Sequence, residues 1–211
     1  MSGSSSGKIK KVIQILGRKY GTIAWWHGNT DEVMIGAILT QQTRWENVEK
    51  ALILLRHEGL CSIAAIRDAD QTTLENAIRC TGFFRKKASR LKSLAAQVMD
   101  KAGGIGTMAS QPDDDLRKNL LSVHGIGEET ADSILCYGFS RQSFVIDAYT
   151  DRICRCAGIM TKRHALKSLF ENVLPRDAGI FQQVHAHIVE YAKEYCGKKR
   201  CNECIIRTLN G

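Results

Sequence analysis

Two features of this 211-residue chain could do chemistry together: a glycine pair and a carboxylate. Gly125-Ile126-Gly127 lies between two amphipathic helical patterns, in the stretch Leu121-Ser122-Val123-His124-Gly125-Ile126-Gly127-Glu128-Glu129-Thr130-Ala131-Asp132. Glycine takes φ > 0 without a steric penalty, so the pair can turn tightly. It also leaves bare N–H groups at the start of the next helix. Those groups and the helix dipole favour an anion such as a phosphate. The following helix reads from about Glu128 to Tyr137, with Ala131, Ile134 and Leu135 on one face. A short apolar run, Phe144 to Ile146, then delivers the carboxylate of Asp147. A phosphate grip shortly before a fixed carboxylate suggests chemistry on a nucleic acid. Taken alone, the pair also fits an ordinary glycine-terminated helix and a capping aspartate.

The cysteines divide into two groups. Of the eight, Cys61, Cys80, Cys136, Cys154 and Cys156 fall within helical patterns and read as small buried hydrophobes. Cys196, Cys201 and Cys204 cluster near the C-terminus. Without a secretory pattern, such a cluster reads as a metal site more readily than as disulfides. That places the protein in a reducing cytosol. The formal charge is +8, a balance that favours polyanionic partners. No apolar run is long enough to cross a bilayer.

These residues need elements to position them. Met1 to Gly7 is Ser/Gly-rich and reads as a disordered tail. Helical patterns run over Lys8–Gly21, Asp31–Thr40, Glu46–His57, Tyr149–Ala157, Lys162–Glu171 and Phe181–Tyr195. Thr30 or Asp31 suits the N-cap of the second. Gly103 to Pro112 reads as a loop before a helix that opens on three aspartates. No convincing strand and no internal repeat is present, so the fold class is all-α, with short helices and short links.

V-H-G-I-G-E-E-T-A-D with V-I-D-A-Y-T-D-R resembles the helix-hairpin-helix, glycine-rich loop and aspartate of the endonuclease III superfamily of DNA glycosylases. G-A-I-L-T-Q-Q-T-R-W-E-N-V resembles the segment of that superfamily that enters DNA, and C-T-G-F-F-R-K-K-A its glycine–aromatic loop before a basic helix. Together with Trp25-Trp26, these point to the 3-methyladenine DNA glycosylase III branch. The resemblance covers nearly all of the chain beyond the first seven residues.

The resemblance implies a two-domain fold. Residues 24–138 would form a six-helix barrel domain containing the hairpin; residues 8–23 and 139–211 would form the second. The DNA-reactive pocket would lie in the cleft between them. It implies that Asp147 is catalytic and that Val123, Gly125 and Gly127 bind DNA through the hairpin. Gln41 would fill the hole left by an extruded nucleotide. Phe83, or its neighbour Phe84, would wedge between bases. Arg85, Lys86, Lys87, Arg90 and Lys92 would touch phosphates. Trp25, Trp26 and Trp45 map onto pocket aromatics, whose electron-rich faces suit a cationic alkylated base; each also suits a core. Strand-cutting members carry a lysine where this chain has Glu129, which cannot form a Schiff base.

The spacing of Cys196, Cys201 and Cys204 resembles the family's 4Fe–4S loop, with Asn210 at the place of the fourth cysteine. Zinc with another ligand, or free thiols, are the alternatives. The leading reading is a monomeric, monofunctional base-excision glycosylase that flips alkylated purines out of double-stranded DNA and removes them by hydrolysis. The others are an endonuclease III-like glycosylase and lyase for oxidised pyrimidines, and a non-catalytic helix-hairpin-helix DNA-binding protein.

Overall fold

A computed structural model describes residues 4–26 and 28–210. Among the described residues twelve α-helices follow one another: α1 (Ser5–Tyr20), α2 (Thr30–Leu39), α3 (Trp45–His57), α4 (Ile63–Asp68), α5 (Gln71–Ala77), α6 (Phe84–Ala96), α7 (Ile105–Ala109), α8 (Asp113–Leu121), α9 (Glu128–Ser133), α10 (Ala148–Cys156), α11 (Arg163–Val173) and α12 (Ala178–Tyr191). Wider π-helical turns extend three of them, over Gln97–Lys101, Ile134–Gly138 and Ala192–Gly197. Among the described residues there is no strand, so the fold is all-α, as the sequence implies.

The chain divides into two compact units, one of residues 28–139 and one of the described parts of 1–27 and 140–211. The boundary therefore falls after the tryptophan pair and not at residue 24. The reason is local: the Ile23 N–H donates to Gln183 Oε1 at 3.1 Å, and Gln183 Nε2 donates back to the Ile23 carbonyl at 2.8 Å. That exchange fastens the segment to α12.

The unit of residues 28–139 is built around α2, in which every residue from Val33 to Leu39 is buried. Its cap differs from the expected Thr30 or Asp31. Asn29 accepts the Glu32 N–H at 2.9 Å. The other two are committed elsewhere: Thr30 Oγ1 donates to the Gly138 carbonyl at 2.9 Å, and Asp31 Oδ1 accepts the Ile63 N–H at 2.6 Å. The stretch read as a loop before α8 holds the short helix α7, anchored by buried Met108.

In the other unit α1 packs against α11 and α12 through Ile9, Val12 and Leu16. Part of the expected N-terminal tail is helix. Ser5–Gly7 form the first turn of α1, because Ser4 Oγ accepts the Gly7 N–H at 3.2 Å and caps it. Residues 1–3 of that tail lie outside the described residues. Phe144 stacks on Phe170, with centroids 4.2 Å apart, and meets Phe181 edge-on at 5.8 Å.

Candidate functional site

The hairpin between α8 and α9 is held by its apolar residues and one ion pair. Val123 and Ile126 are buried, and the Ile126 N–H closes the turn on the Val123 carbonyl at 3.1 Å. Arg117 Nε donates to Asp132 Oδ1 at 2.9 Å, tying α8 to α9 through a buried carboxylate. Gly125 has φ +85°, the left-handed region that favours glycine. The amides of Gly125 and Gly127 make no hydrogen bond among the described residues, and no side chain caps α9. They present N–H groups to an anion. Val123 has a different role from the one expected. Its side chain is buried and its N–H donates to the Leu120 carbonyl at 3.1 Å, so it anchors the hairpin from inside.

The glutamine loop is bound to this hairpin. Gln41 Nε2 donates to the Gly125 carbonyl at 3.1 Å and to Thr130 Oγ1 at 3.0 Å, and Gln41 Oε1 accepts from Arg90 Nη1. Both ends of the Gln41 amide are thereby occupied, and reaching outward would break all of these bonds. The adjacent Gln42 is the opposite case. It is exposed, sits at φ +55°, and its side chain makes no hydrogen bond among the described residues. The aromatic pair separates in the same way. Phe83 is 62% exposed at φ +45°, whereas Arg79 and Arg85 cover the Phe84 ring at 5.3 and 5.5 Å.

Lys87 departs from the expected phosphate-binding surface. Its side chain is buried, and its ammonium donates to the Leu39 carbonyl at 2.8 Å, to the Thr81 carbonyl at 2.9 Å and to Thr43 Oγ1. It thus joins the end of α2, the glutamine loop and the turn before Gly82. Burial, with Arg90 nearby, lowers its pKa to about 8. Lys92 also turns inward, donating to the Arg67 carbonyl at 2.9 Å and to that of Ala69 at the end of α4. Arg85, Lys86 and Arg90 remain as a basic surface. With Ser89 and His124 they line a concavity of about 410 Å³ beside the hairpin.

Asp147 is the N-cap of α10, where Oδ1 accepts the Thr150 N–H at 2.7 Å. Its other oxygen, Oδ2, lies 3.4 Å from His185 Nε2, and both side chains are nearly buried. Burial alone would raise the Asp147 carboxyl. His185 and Thr150 more than offset it and hold the group below the usual carboxylate range. Phe144 meets the His185 ring edge-on at 6.4 Å and helps to set its plane. His185 was not legible as a site residue, because it falls in the apolar run of α12. Its only signal is a titratable ring on a face that is otherwise buried.

Trp25 and Trp26 are half-buried in the segment after α1, and Trp45 is half-buried at the start of α3. Lys193 Nζ stands 5.2 Å from the Trp25 ring centroid, so one indole already carries a cation. Glu129 is exposed in the first turn of α9. Of the cysteines read as buried, Cys136 and Cys154 are buried, Cys61 and Cys156 are half-buried, and Cys80 is exposed. Cys204 is buried beneath Tyr191, whose hydroxyl donates to Sγ at 3.5 Å. Cys196 is half-buried and Cys201 exposed. Among the described residues no three His, Cys, Asp or Glu side chains converge to hold a single metal ion.

Residues 35–176 match the HhH-GPD superfamily of base excision DNA repair proteins. The chain belongs to that family. It is a DNA N-glycosylase, and its hairpin and Asp147 lie in the matched stretch. A protein of Methanocaldococcus jannaschii named as a DNA repair glycosylase is 42% identical over 206 residues, covering 94% of each chain. The endonuclease III of Thermotoga maritima is 28% identical over 187 residues, 86% of this chain and 83% of that protein. Among solved structures, the Helicobacter pylori 3-methyladenine DNA glycosylase bound to 1,N6-ethenoadenine is similar with a TM-score of 0.78 at 25% identity, covering 90% of this chain and 97% of that one. A non-covalent endonuclease III–DNA complex has a TM-score of 0.80 at 20% identity, over 97% and 94% of the chains, a likeness of fold. Among the described residues no helix is long and apolar enough to cross a membrane.

Proposed function

We propose that this DNA glycosylase removes alkylated purines by hydrolysis, without cutting the strand. The observation that carries the reading is Glu129, an exposed carboxylate at the place where strand-cutting members hold their amine. The buried Lys87 offers no substitute, since its ammonium is committed to three oxygens of its own unit. The three tryptophans and the ethenoadenine carried by the H. pylori protein support a modified purine as substrate.

In this reading the N–H groups of Gly125 and Gly127 bind a backbone phosphate, with Arg85, Lys86 and Arg90 adding charge that carries no sequence information. Gln42, in preference to Gln41, fills the space of the extruded nucleotide, and Phe83 wedges beside it. Both sit at positive φ, a strain that tends to persist where function requires it. Asp147 is ionised at neutral pH, held so by His185 and Thr150. It stabilises the cationic sugar as the C1′–N bond breaks and the base leaves with the bonding pair. It then orients water, whose oxygen bonds to C1′ as its proton passes to solvent or to the carboxylate. We read the C-terminal cysteines as ligands of a 4Fe–4S cluster, which when bound supplies a structural cross-link. The protein would act as a monomer on damaged double-stranded DNA in the cytoplasm.

A second reading is an endonuclease III-like enzyme for oxidised pyrimidines; the likeness to the T. maritima protein favours it. One assay separates the two. Duplexes carrying either a methylated purine or an oxidised pyrimidine are incubated with enzyme and run on a gel before and after alkali. Release of the methylated base, with strand breaks only after alkali, is the expected result. Breaks without alkali, on the oxidised substrate, would sink the proposal in favour of the second reading.

A further inference from the structure

The C-terminal loop offers Cys196, Cys201 and Cys204, and a 4Fe–4S cluster ordinarily takes four thiolates. At the fourth place in sequence stands Asn210, whose side-chain oxygen lies against Gly158. A β-carbon on Gly158 would lie 2.0 Å from Asn210 Oδ1 and 2.8 Å from Lys8 Nζ, and Gly158 has φ +72°. The bare glycine therefore lets the last turn, Ile205–Asn210, come in against the end of α10. The Ala192–Gly197 turn, which holds Cys196, packs on α10 as well. The last residue of α10 is Cys156.

Cys156 is half-buried and shares its surroundings with the loop thiols. Cys204 and Cys201 are near enough to act on it electrostatically. Cys156 in turn acts on Cys196. Arg152 faces both thiols and Arg207 faces Cys156, each favouring negative charge. Of the remaining cysteines, Cys61, Cys80 and Cys136 belong to the other unit, and Cys154 is buried within α10.

We infer that Cys156 is the fourth thiolate of a 4Fe–4S cluster held with Cys196, Cys201 and Cys204, and that Asn210 is not a ligand. A cubane cluster takes one thiolate at each of its four irons, so its donors stand spaced around it and need not converge on one point. Each thiol gives its proton to solvent as it binds. This ligand set would join the C-terminal loop to the far end of the helix that Asp147 caps. The inference rests on the cluster reading above, and the two can fail separately.

The test is metal analysis of full-length protein purified anaerobically, as wild type, Cys156→Ser, Asn210→Ala and Cys80→Ser, with circular dichroism to confirm helix content. Wild type, Asn210→Ala and Cys80→Ser should each hold about four irons and four sulfides per chain, with the broad visible absorption of a cluster. Cys156→Ser should lose most of that iron, or retain a three-iron species visible by electron paramagnetic resonance. A second measurement needs no variant: alkylation of wild type, read by mass spectrometry before and after iron chelation. Cys156 should become reactive on chelation together with Cys196. Full iron in Cys156→Ser, or Cys156 reactivity indifferent to chelation, overturns the assignment. Loss of iron in Asn210→Ala overturns it in favour of Asn210. Wild type that is metal-free, or holds zinc alone, overturns the cluster reading itself.

Discussion

A β-carbon on Gly125 would lie 2.4 Å from Arg90 Nε and 2.6 Å from Arg90 Cδ. The arginine of α6 lies across the hairpin at Gly125, which has no side chain to obstruct it. From there it reaches Gln41. The hairpin, the basic helix and the glutamine loop are thus set by a single close approach.

Gly125→Ala should therefore be worse than Gly127→Ala. The first meets Arg90 and must also hold φ +85°; the second has φ −95° and no atom within 4 Å of its new carbon. Strain of this kind costs roughly 1–3 kcal/mol. Gly125→Ala should lower the midpoint of thermal unfolding and weaken binding equally to damaged and undamaged duplexes, as read by fluorescence anisotropy. Equal behaviour of the two variants would remove Arg90 from the hairpin's support.

The two glutamines should separate by assay. Gln42→Ala should leave the unfolding midpoint unchanged and slow single-turnover excision about tenfold or more, because an unfilled gap favours return of the nucleotide to the stack. Gln41→Ala should lower stability by about 1–2 kcal/mol, through the loss of hydrogen bonds between half-buried partners. If Gln41→Ala slows excision at full stability while Gln42→Ala does neither, the roles are reversed.

Asp147 predicts a pH profile. Its carboxyl is held below the usual carboxylate range, so the folded state binds fewer protons there than the unfolded chain does. Its contribution to stability is fully present above the unfolded pKa of roughly 3.9 and is lost as pH falls through the lower folded value. Excision should likewise lose its acid limb only below that range. His185→Gln removes the partner that opposes burial, so the limb should move to higher pH. Asp147→Asn should abolish excision with DNA binding nearly intact. An acid limb unmoved in His185→Gln would show that Thr150 alone sets the carboxylate.

Lys87→Met should cost about 3 kcal/mol, since the Leu39 and Thr81 carbonyls and the Thr43 hydroxyl lose a buried donor. The loops bearing Gln42 and Phe83 should loosen together. Hydrogen exchange should speed at residues 40–44 and 79–83 while α8 and α9 keep their protection. Exchange confined to one loop would deny that the lysine couples them.

The helices were largely legible, because apolar residues recur at helical spacing and the core asks for little else. Asp147 and the glycine pair were legible as local motifs. What escaped were residues whose role depends on partners distant in sequence. Lys87 read as one of a basic run, yet its neighbours in space are three oxygens. Gln41 and Gln42 are the same residue type side by side, and only the backbone turn decides which faces outward. His185 and Cys156 sat in helical patterns that explained them too well. Val123 was read from its motif, while its burial follows from the turn that Ile126 closes.

The unit that holds Asp147 is discontinuous in sequence: α1 finds its partners in α11, α12 and the last turn of the chain. During synthesis α1 emerges well before α11 and α12, the helices that cover it. Residues 28–139 can collapse on their own contacts while Ile9, Val12 and Leu16 still face water. An apolar stripe left waiting in this way is what holding chaperones bind, and what drives nascent chains to associate. Placing α1 after the Ile205–Asn210 turn in sequence would let each unit fold as a continuous stretch, shortening that exposure.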